Sequence, residues 1–529
     1  MTAATGSITT KPAPASIFAK IGRGRYGHLM ALSGGALAPL ALAPFEYWPL
    51  AIVACLSLLI SLEHAKNSRQ AAFRGWLFGT GLYGVGVSWV YVSIHQFGNA
   101  PIALAATLTA LFAVSLALTF GLHGYLYKRY LAGRPLAIIL GFPLLWILAE
   151  WFRSWFLTGF PWLLIGYAPL DSWLAGWAPI TGVYGLSGFC ALAAGCLYLI
   201  PTRTRKQQLR LSLLALLPFF SGALLQQHAW TQPTDQPPLQ VALVQGNIAQ
   251  QLKWSPQHRQ QIIDHYQSLS APLLDRSTPK TELIVWPETA VPLLYDIALQ
   301  QLASFEQSLL DANTGLISGV PYRTLTPANT VNPTRFHNSI MGLGNADGLY
   351  HKQRLVPFGE YVPLESWLRG LIDFFDLPMS SFSLGPANQP PLQLQLDSGP
   401  TAISAYICYE IVYPDLVAET ASSSNLLLTI SNDSWFGDSF APHQHLQMAQ
   451  MRALETGRYL IRATNNGISA LVAPNGEILA NSRQFVVEIL RGEVQPMTGV
   501  TPFMWAGSTP LILFCLLGLG LVSRTRRHD

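Results

Sequence analysis

Three short strings in this 529-residue chain carry groups that could do covalent chemistry. "YICYE" holds Cys408, the only cysteine between Cys196 and Cys515. "IVWPET" brings Glu288 to the end of an apolar run, and "YHKQRLVPFGEYVP" contains Lys352 and Glu360. A thiol can act as a nucleophile once a neighbour takes its proton or stabilises its anion. Each carboxylate and the lysine lie just beyond apolar residues, where burial and neighbouring charge shift ionisation. Taken singly, each residue also has an ordinary reading: a buried apolar cysteine, a loop glutamate, a surface lysine. Glu410, two residues past the thiol, reads equally as a support for the same loop or as a structural ion-pair partner.

The elements that would position these groups are strand-like. Runs at 239–248, 282–288, 314–320, 338–344, 401–410, 425–435 and 469–479 are rich in β-branched and apolar residues. Helical patterns lie between several of them, at 256–274, 296–313 and 443–461. Such alternation predicts a layered α/β domain. A polar, Pro-rich linker, "QQHAWTQPTDQPP", precedes it.

The rest of the chain is of another kind. Half of all residues are hydrophobic and 11% are charged, against about a quarter charged in soluble proteins. Residues 1–230 carry 15 Lys+Arg and 4 Asp+Glu, a net of +11. Residues 231–502 carry 14 and 23, a net of −9. Eight apolar stretches approach the roughly 20 residues a membrane span needs: about 28–45, 49–63, 75–94, 100–126, 136–156, 174–200, 211–226 and 503–523. Pro218 makes the seventh the weakest. Nothing in residues 1–26 reads as a cleaved signal peptide. The organisation expected is a membrane domain with seven transmembrane helices (1–230), an extracytoplasmic domain (231–502), and an eighth helix with a basic tail (503–529).

Basic residues are retained on the cytoplasmic side of spans. They crowd alternate connections: Lys11, Lys20, Arg23 and Arg25; Lys66, Arg69 and Arg74; Lys128, Arg129 and Arg134; Arg203, Arg205, Lys206 and Arg210; Arg524, Arg526 and Arg527. The opposite loops hold only Arg153. This places both termini in the cytoplasm and 231–502 outside it. Exported domains usually pair their cysteines, yet Cys408 has no partner within its own domain.

Other motifs have plain readings. Gly79, Gly81 and Gly84 in "GTGLYG" have the spacing of a dinucleotide fingerprint, but in an apolar span they serve close helix packing. His443 and His445 lack ligands at metal spacing. Glu150 and Arg153 read as a helix ion pair or as a contact to a phospholipid headgroup. No metal or nucleotide cofactor is indicated, and an acidic domain argues against nucleic acid.

Together and in this order, the strings resemble the nitrilase or carbon–nitrogen hydrolase superfamily over roughly 238–497. The whole chain resembles its bacterial apolipoprotein N-acyltransferase branch, through "GVSWVYVSIHQFG" (86–98), "EWFRSWFLTGFPW" (150–162), "VALVQGNIAQQLKW" (241–254), "LVPFGEYVP" (355–363), "NDSWFGDS" (432–439) and "RALETGRYLIRATNNGISA" (452–470). The resemblance implies an αββα sandwich behind a helical membrane domain, and a Glu288–Lys352–Cys408 triad. Cys408 would be the nucleophile, Glu288 the base and Lys352, with the Tyr409 N–H, the oxyanion partner. Glu360 would be a further essential carboxylate, and Trp254, Tyr409, Trp435 and Phe436 would cover the site. The implied reaction moves an acyl chain from a phospholipid, commonly phosphatidylethanolamine, through a cysteine thioester to the α-amino group of a diacylglyceryl-cysteine apolipoprotein. It would occur at the bacterial inner membrane, periplasmic side, in a monomer. A membrane-anchored amidase using water would carry the same triad. A transporter with a ligand-binding domain would bury charges in its spans, and a chemistry-free lipoprotein receptor would leave the triad unexplained.

Overall fold

The computed structural model describes residues 17–275, 280–325, 334–357, 359–361 and 382–524. Lys11, Arg526, Arg527 and part of "LVPFGEYVP" lie outside the described residues.

The described residues form fifteen strands in chain order: β1 (Gln232–Pro233), β2 (Leu239–Gln245), β3 (Leu283–Val285), β4 (Gly315–Leu325), β5 (Thr334–Gly344), β6 (Ala346–Asp347), β7 (Leu349–His351), β8 (Leu392–Leu396), β9 (Gly399–Ile407), β10 (Leu426–Ser431), β11 (Leu460–Thr464), β12 (Ala470–Val472), β13 (Ile478–Asn481), β14 (Glu488–Val494) and β15 (Met497–Thr498). They form a six-stranded sheet, β14-β2-β3-β4-β5-β7, and a seven-stranded sheet, β13-β12-β11-β10-β9-β8-β6. The short β1–β15 pair closes the base of the domain. At the centre of each sheet the strands run parallel, β2–β3–β4 in one and β9–β10–β11 in the other.

Side-chain alternation explains why the two sheets stack. Along β9, Ile403, Ala405 and Ile407 enter the core between the sheets, with Leu243, Val285 and Ile340 from the other sheet. The intervening Tyr406 joins a second core. On β2 the odd residues face the partner sheet, while Ala242 and Val244 meet the helices Arg259–Ser270 and Tyr295–Asp311. The helices Pro414–Ala421 and Ala441–Thr456 cover the other outer face. The order helix–sheet–sheet–helix is the αββα sandwich that the resemblance implies. The expected strand at 469–479 is instead two strands, β12 and β13, because Asn475 and Gly476 turn the chain between them.

Among the described residues three helices are long and apolar enough to cross a membrane: Ile102–Tyr130, Trp173–Thr202 and Arg205–Leu225. The pair Ser68–Gly86 and Val90–Phe97 makes a fourth if its 59° bend lies within one span. Pro49–Glu63 and Thr509–Arg524 are apolar but shorter. The stretch at 136–156 is a π-turn over Ala137–Gly141 followed by the helix Phe142–Arg153. The eight-span expectation therefore reduces to three or four full-length candidates. Pro218 does not break its helix, which runs unbroken from Arg205 to Leu225 while the Pro218 carbonyl accepts the Trp177 Nε1–H at 3.0 Å.

Two of the three glycines of "GTGLYG", Gly79 and Gly81, sit at helix crossings as expected. A Cβ on Gly81 would lie 2.2 Å from the Leu32 carbonyl oxygen, and one on Gly79 would lie 2.7 Å from the Ala117 Cα. Gly84 has nothing within 4 Å. Gly81→Val should therefore lower the thermal midpoint of the detergent-solubilised protein, at a cost of about 1–3 kcal/mol or more. Gly84→Ala should leave it unchanged.

Candidate active site

The chemistry-bearing residues come from the ends of strands in both sheets. β3 ends three residues before Glu288, and β7 delivers Lys352. β9 delivers Cys408, and β10 delivers Asn432 and Asp433. The site thus straddles the gap between the sheets, where inter-sheet side chains give way to loops.

Cys408 has φ +52°. A non-glycine residue there is strained, by about 1–3 kcal/mol, and the surroundings must hold it. Two contacts do so. Its carbonyl accepts from His445 Nε2 at 3.1 Å. Immediately before it, the Ile407 N–H donates to Glu410 Oε2 at 2.7 Å. Arg462 Nη2 lies 3.1 Å from His445 Nδ1 and 2.8 Å from Asp433 Oδ2. Arginine only donates, which fixes the tautomer with hydrogen on Nε2. Burial and the adjacent Arg462 lower the His445 pKa, so the ring is neutral. His445 therefore supports the backbone of the thiol, and among the described residues no metal-holding cluster forms.

Glu288 is held from both sheets. Asn338 Nδ2 donates to its Oε1 at 2.7 Å, and the Asn432 N–H to its Oε2 at 2.8 Å. Its backbone packs against Gly319, where a Cβ would sit 2.8 Å from the Glu288 Cα. Lys352 is buried and 2.8 Å from both oxygens of Glu360. Glu360 also accepts from Asn338 Nδ2 at 3.1 Å and the Val356 N–H at 2.9 Å. Asn338 thus bridges the two carboxylates.

Burial opposes the Lys352 charge. Glu360, Glu288 and Cys408 outweigh it and hold the lysine above its ordinary value, a cation at neutral pH. Burial pushes the Cys408 thiol up to about 12; Glu288 and Asp433 push the same way, while Lys352 and a Ser431 hydrogen bond pull it down. Cys408 therefore rests as a thiol.

Glu410 is fully buried. Its Oε1 accepts from Tyr350 Oη (3.0 Å), the Gln353 N–H (2.5 Å) and the Arg354 N–H (3.1 Å). With Ile407 on Oε2, four donors converge on one carboxylate. Glu410 therefore ties the cysteine loop to the lysine loop, and among the described residues it does so by hydrogen bonds rather than a salt bridge.

The expected aromatic cover separates into two groups. Tyr409 and Phe436 join a seam with the helical region: Trp162 stacks on Tyr409 at 6.4 Å, and Trp89 meets Phe436 edge-on at 4.9 Å. The Tyr409 hydroxyl donates to the Gly159 carbonyl at 3.2 Å. Trp435 is outside that group, with its ring against Phe97 and its carbonyl accepting from Ser93 Oγ at 2.7 Å. Trp254 caps the short helix Gln250–Lys253, and its buried Nε1 has no hydrogen-bond partner among the described residues. Glu150 and Arg153 are both buried but form no ion pair. Glu150 accepts from Trp146 and the Ile165 N–H, and Arg153 donates to the carbonyls of Phe160 and Trp162.

Sequence reasoning passed over Asn338, Asn432, His445 as a support, and Lys253. The last is buried, and its Nζ donates to the Glu288 carbonyl at 2.6 Å. Its place beside Trp254 in "QQLKW" gave no sign of a carbonyl 35 residues away.

Such a site, across two stacked sheets with helices outside, defines a carbon–nitrogen hydrolase domain. The family model described as carbon-nitrogen hydrolase matches residues 240–502, and that of the apolipoprotein N-acyltransferase N-terminal domain matches 34–196. The apolipoprotein N-acyltransferase of Azotobacter vinelandii is 48% identical over 507 residues, covering 95% of this chain and 96% of its own. That of Coxiella burnetii is 38% identical over 497 residues, covering 92% and 99%. Among solved structures, a carbon-nitrogen hydrolase from Helicobacter pylori aligns with 55% of this chain at 16% identity and a TM-score of 0.36. The chain belongs to the apolipoprotein N-acyltransferase family.

Glu410→Gln replaces one acceptor oxygen with a donor facing N–H and O–H groups. It should cost about 1–3 kcal/mol in stability and slow any Cys408 chemistry. Thermal melting and Cys408 alkylation, measured together, check this.

Proposed function

We propose that the protein acylates apolipoproteins through a Cys408 thioester, with Glu288 as general base and acid and Lys352 as the fixed positive charge. The observation that carries this reading is the convergence of a strained thiol, a carboxylate held from both sheets and a buried cationic lysine at one inter-sheet mouth.

In the first half-reaction, Glu288 takes the Cys408 proton as sulfur attacks the ester carbonyl of a phospholipid, phosphatidylethanolamine being the expected donor. The S–C bond forms and negative charge gathers on the carbonyl oxygen. Lys352 and the Tyr409 N–H stabilise it; one such donor is typically worth about 10²–10³ in rate. The ester C–O bond then breaks, and Glu288 returns the proton to the departing lysophospholipid. In the second half-reaction, the α-amino group of a diacylglyceryl-cysteine attacks the thioester. An N–C bond forms, C–S breaks, and the amine proton passes through Glu288 back to sulfur. Two half-reactions through one covalent intermediate make a ping-pong sequence.

Because burial keeps the thiol protonated, Glu288 must act as the bond forms. Glu360 holds Lys352, and Asn338 keeps Glu360 and Glu288 in register. The domain 231–502 is placed on the periplasmic face of the inner membrane, with both termini cytoplasmic. The aromatic seam of Trp89, Trp162, Tyr409 and Phe436 lies where the site meets the helical region, suited to acyl chains that never leave the bilayer. The names of full-length relatives favour this reading over an amidase that uses water.

Intact-mass analysis of the protein incubated with phospholipid and no acceptor should show a fatty-acyl increment on Cys408, discharged by a diacylglyceryl-cysteine peptide. Decay of the adduct in water at the same rate without peptide would favour the hydrolase. Cys408→Ser should trap no thioester, and Lys352→Met should abolish turnover. Glu288→Gln separates base from charge. It should cost about 10²–10⁴ in acyl transfer, yet speed alkylation of Cys408 at high pH, because a carboxylate that raises the thiol pKa is gone.

A further inference from the structure

The loop after β2 brings one more cation to the site. Its short helix, Gln250–Lys253, is pinned at both ends: Asn432 Nδ2 donates to Gln250 Oε1 at 2.6 Å, and Lys253 Nζ to the Glu288 carbonyl at 2.6 Å. Lys253 is 3% exposed. One of its three N–H donors serves that carbonyl, and its charge faces the Glu288 carboxylate and the Cys408 sulfur. A buried ammonium used only to hold a carbonyl would be costly, since burying a charge is repaid only by strong partners.

The charges around the thiol show what it balances. The Glu360 carboxylate meets Lys352 at 2.8 Å, and the carboxyl groups of Glu288 and Glu410 also act on Lys352. Asp433 acts on the thiol too, but Arg462 pairs with it at 2.8 Å and His445 beside them is neutral. Lys352 is thus one cation among three carboxyl groups, and Lys253 adds a second cation where a thiolate would add further negative charge.

We propose that Lys253 is a positioning residue of the acyl-transfer site, fixing the Glu288 backbone and supplying the second positive charge that lets the pocket hold the Cys408 thiolate. This rests on the thioester reading above. Burial lowers the Lys253 pKa to about 8, with Glu288 and Cys408 working to raise it. The charge is therefore present at neutral pH and is lost as the pH rises through about 8. Loss of the ammonium disfavours the thiolate, so acylation should fall off on that alkaline limb.

The test compares the full-length wild-type protein in detergent with Lys253→Met and Lys253→Arg. Iodoacetamide alkylation of Cys408, mapped by peptide mass, needs no lipid; single-turnover acyl-enzyme formation from phospholipid is followed in parallel, both from pH 6.5 to 10. Lys253→Met should slow both by at least about tenfold at pH 7.5, the effect of one pKa unit at the thiol, and should lose the alkaline limb. Lys253→Arg should stay within about threefold of wild type and keep acylating above pH 8, because its charge persists. Wild-type rates and an unchanged pH profile in Lys253→Met would overturn the proposal. An unaltered melting temperature with Lys253→Arg as slow as Lys253→Met would overturn the charge role as well. A wild-type protein that alkylates but takes up no acyl chain would defeat the thioester reading, and the alkylation comparison would still decide Lys253.

Discussion

The geometry of the candidate site depends on one buried carboxylate. Glu410 receives donors from the residue before Cys408, from the two residues after Lys352, and from Tyr350 on the strand that leads to it. Cys408 and Lys352 follow strands of different sheets, and nothing in strand pairing sets their separation. A carboxylate with four donors sets it, because each orphaned N–H would otherwise be buried without a partner. The unfavourable φ of Cys408 is held by the same bond and by His445 from the other side.

Around that centre, polar contacts reach across the sandwich in short steps. Asn338 couples Glu288 to Glu360, Asn432 couples Glu288 to the second sheet, and Asp433 couples Arg462 to the histidine beneath the thiol. The outcome is a site in which the groups that change protonation sit on backbone they do not themselves anchor. The helical region continues the same construction. Tyr409 and Tyr413 donate to the carbonyls of Gly159 and Thr158, and Glu455 accepts from the Val183 N–H where Gly182 breaks its helix.

Much of this was legible in the residues. Glu288, Lys352 and Cys408 each follow an apolar run, and the structure puts each just past a strand. Apolar and β-branched runs gave β2, β9 and β10 to within a few residues. The losses have physical causes. β11 has Arg462 in mid-strand, and its first two residues fall at the end of the helical pattern expected over 443–461; Asp433 pairs with the buried Arg462. Lys253 and Asn432 act on Glu288 across 35 and 144 residues, separations that no local pattern reports. The eight-span count exceeds the three or four long apolar helices among the described residues, because apolar content does not reveal bends and π-turns. Pro218 misled in the other direction, since a helix facing apolar surroundings absorbs a missing N–H.

The outer face of the seven-stranded sheet has no free side. Tyr406, Leu427, Leu446, Ala449 and Leu454 share one continuous core with Leu82, Leu164, Val183 and Leu186 of the helical region. A gene fragment encoding only the catalytic half would leave this face uncovered, a sheet-and-helix surface built for apolar neighbours and presented to water. The candidate site and the helical region therefore share packing, so a substitution that loosens the helices acts on the sheet that carries Cys408.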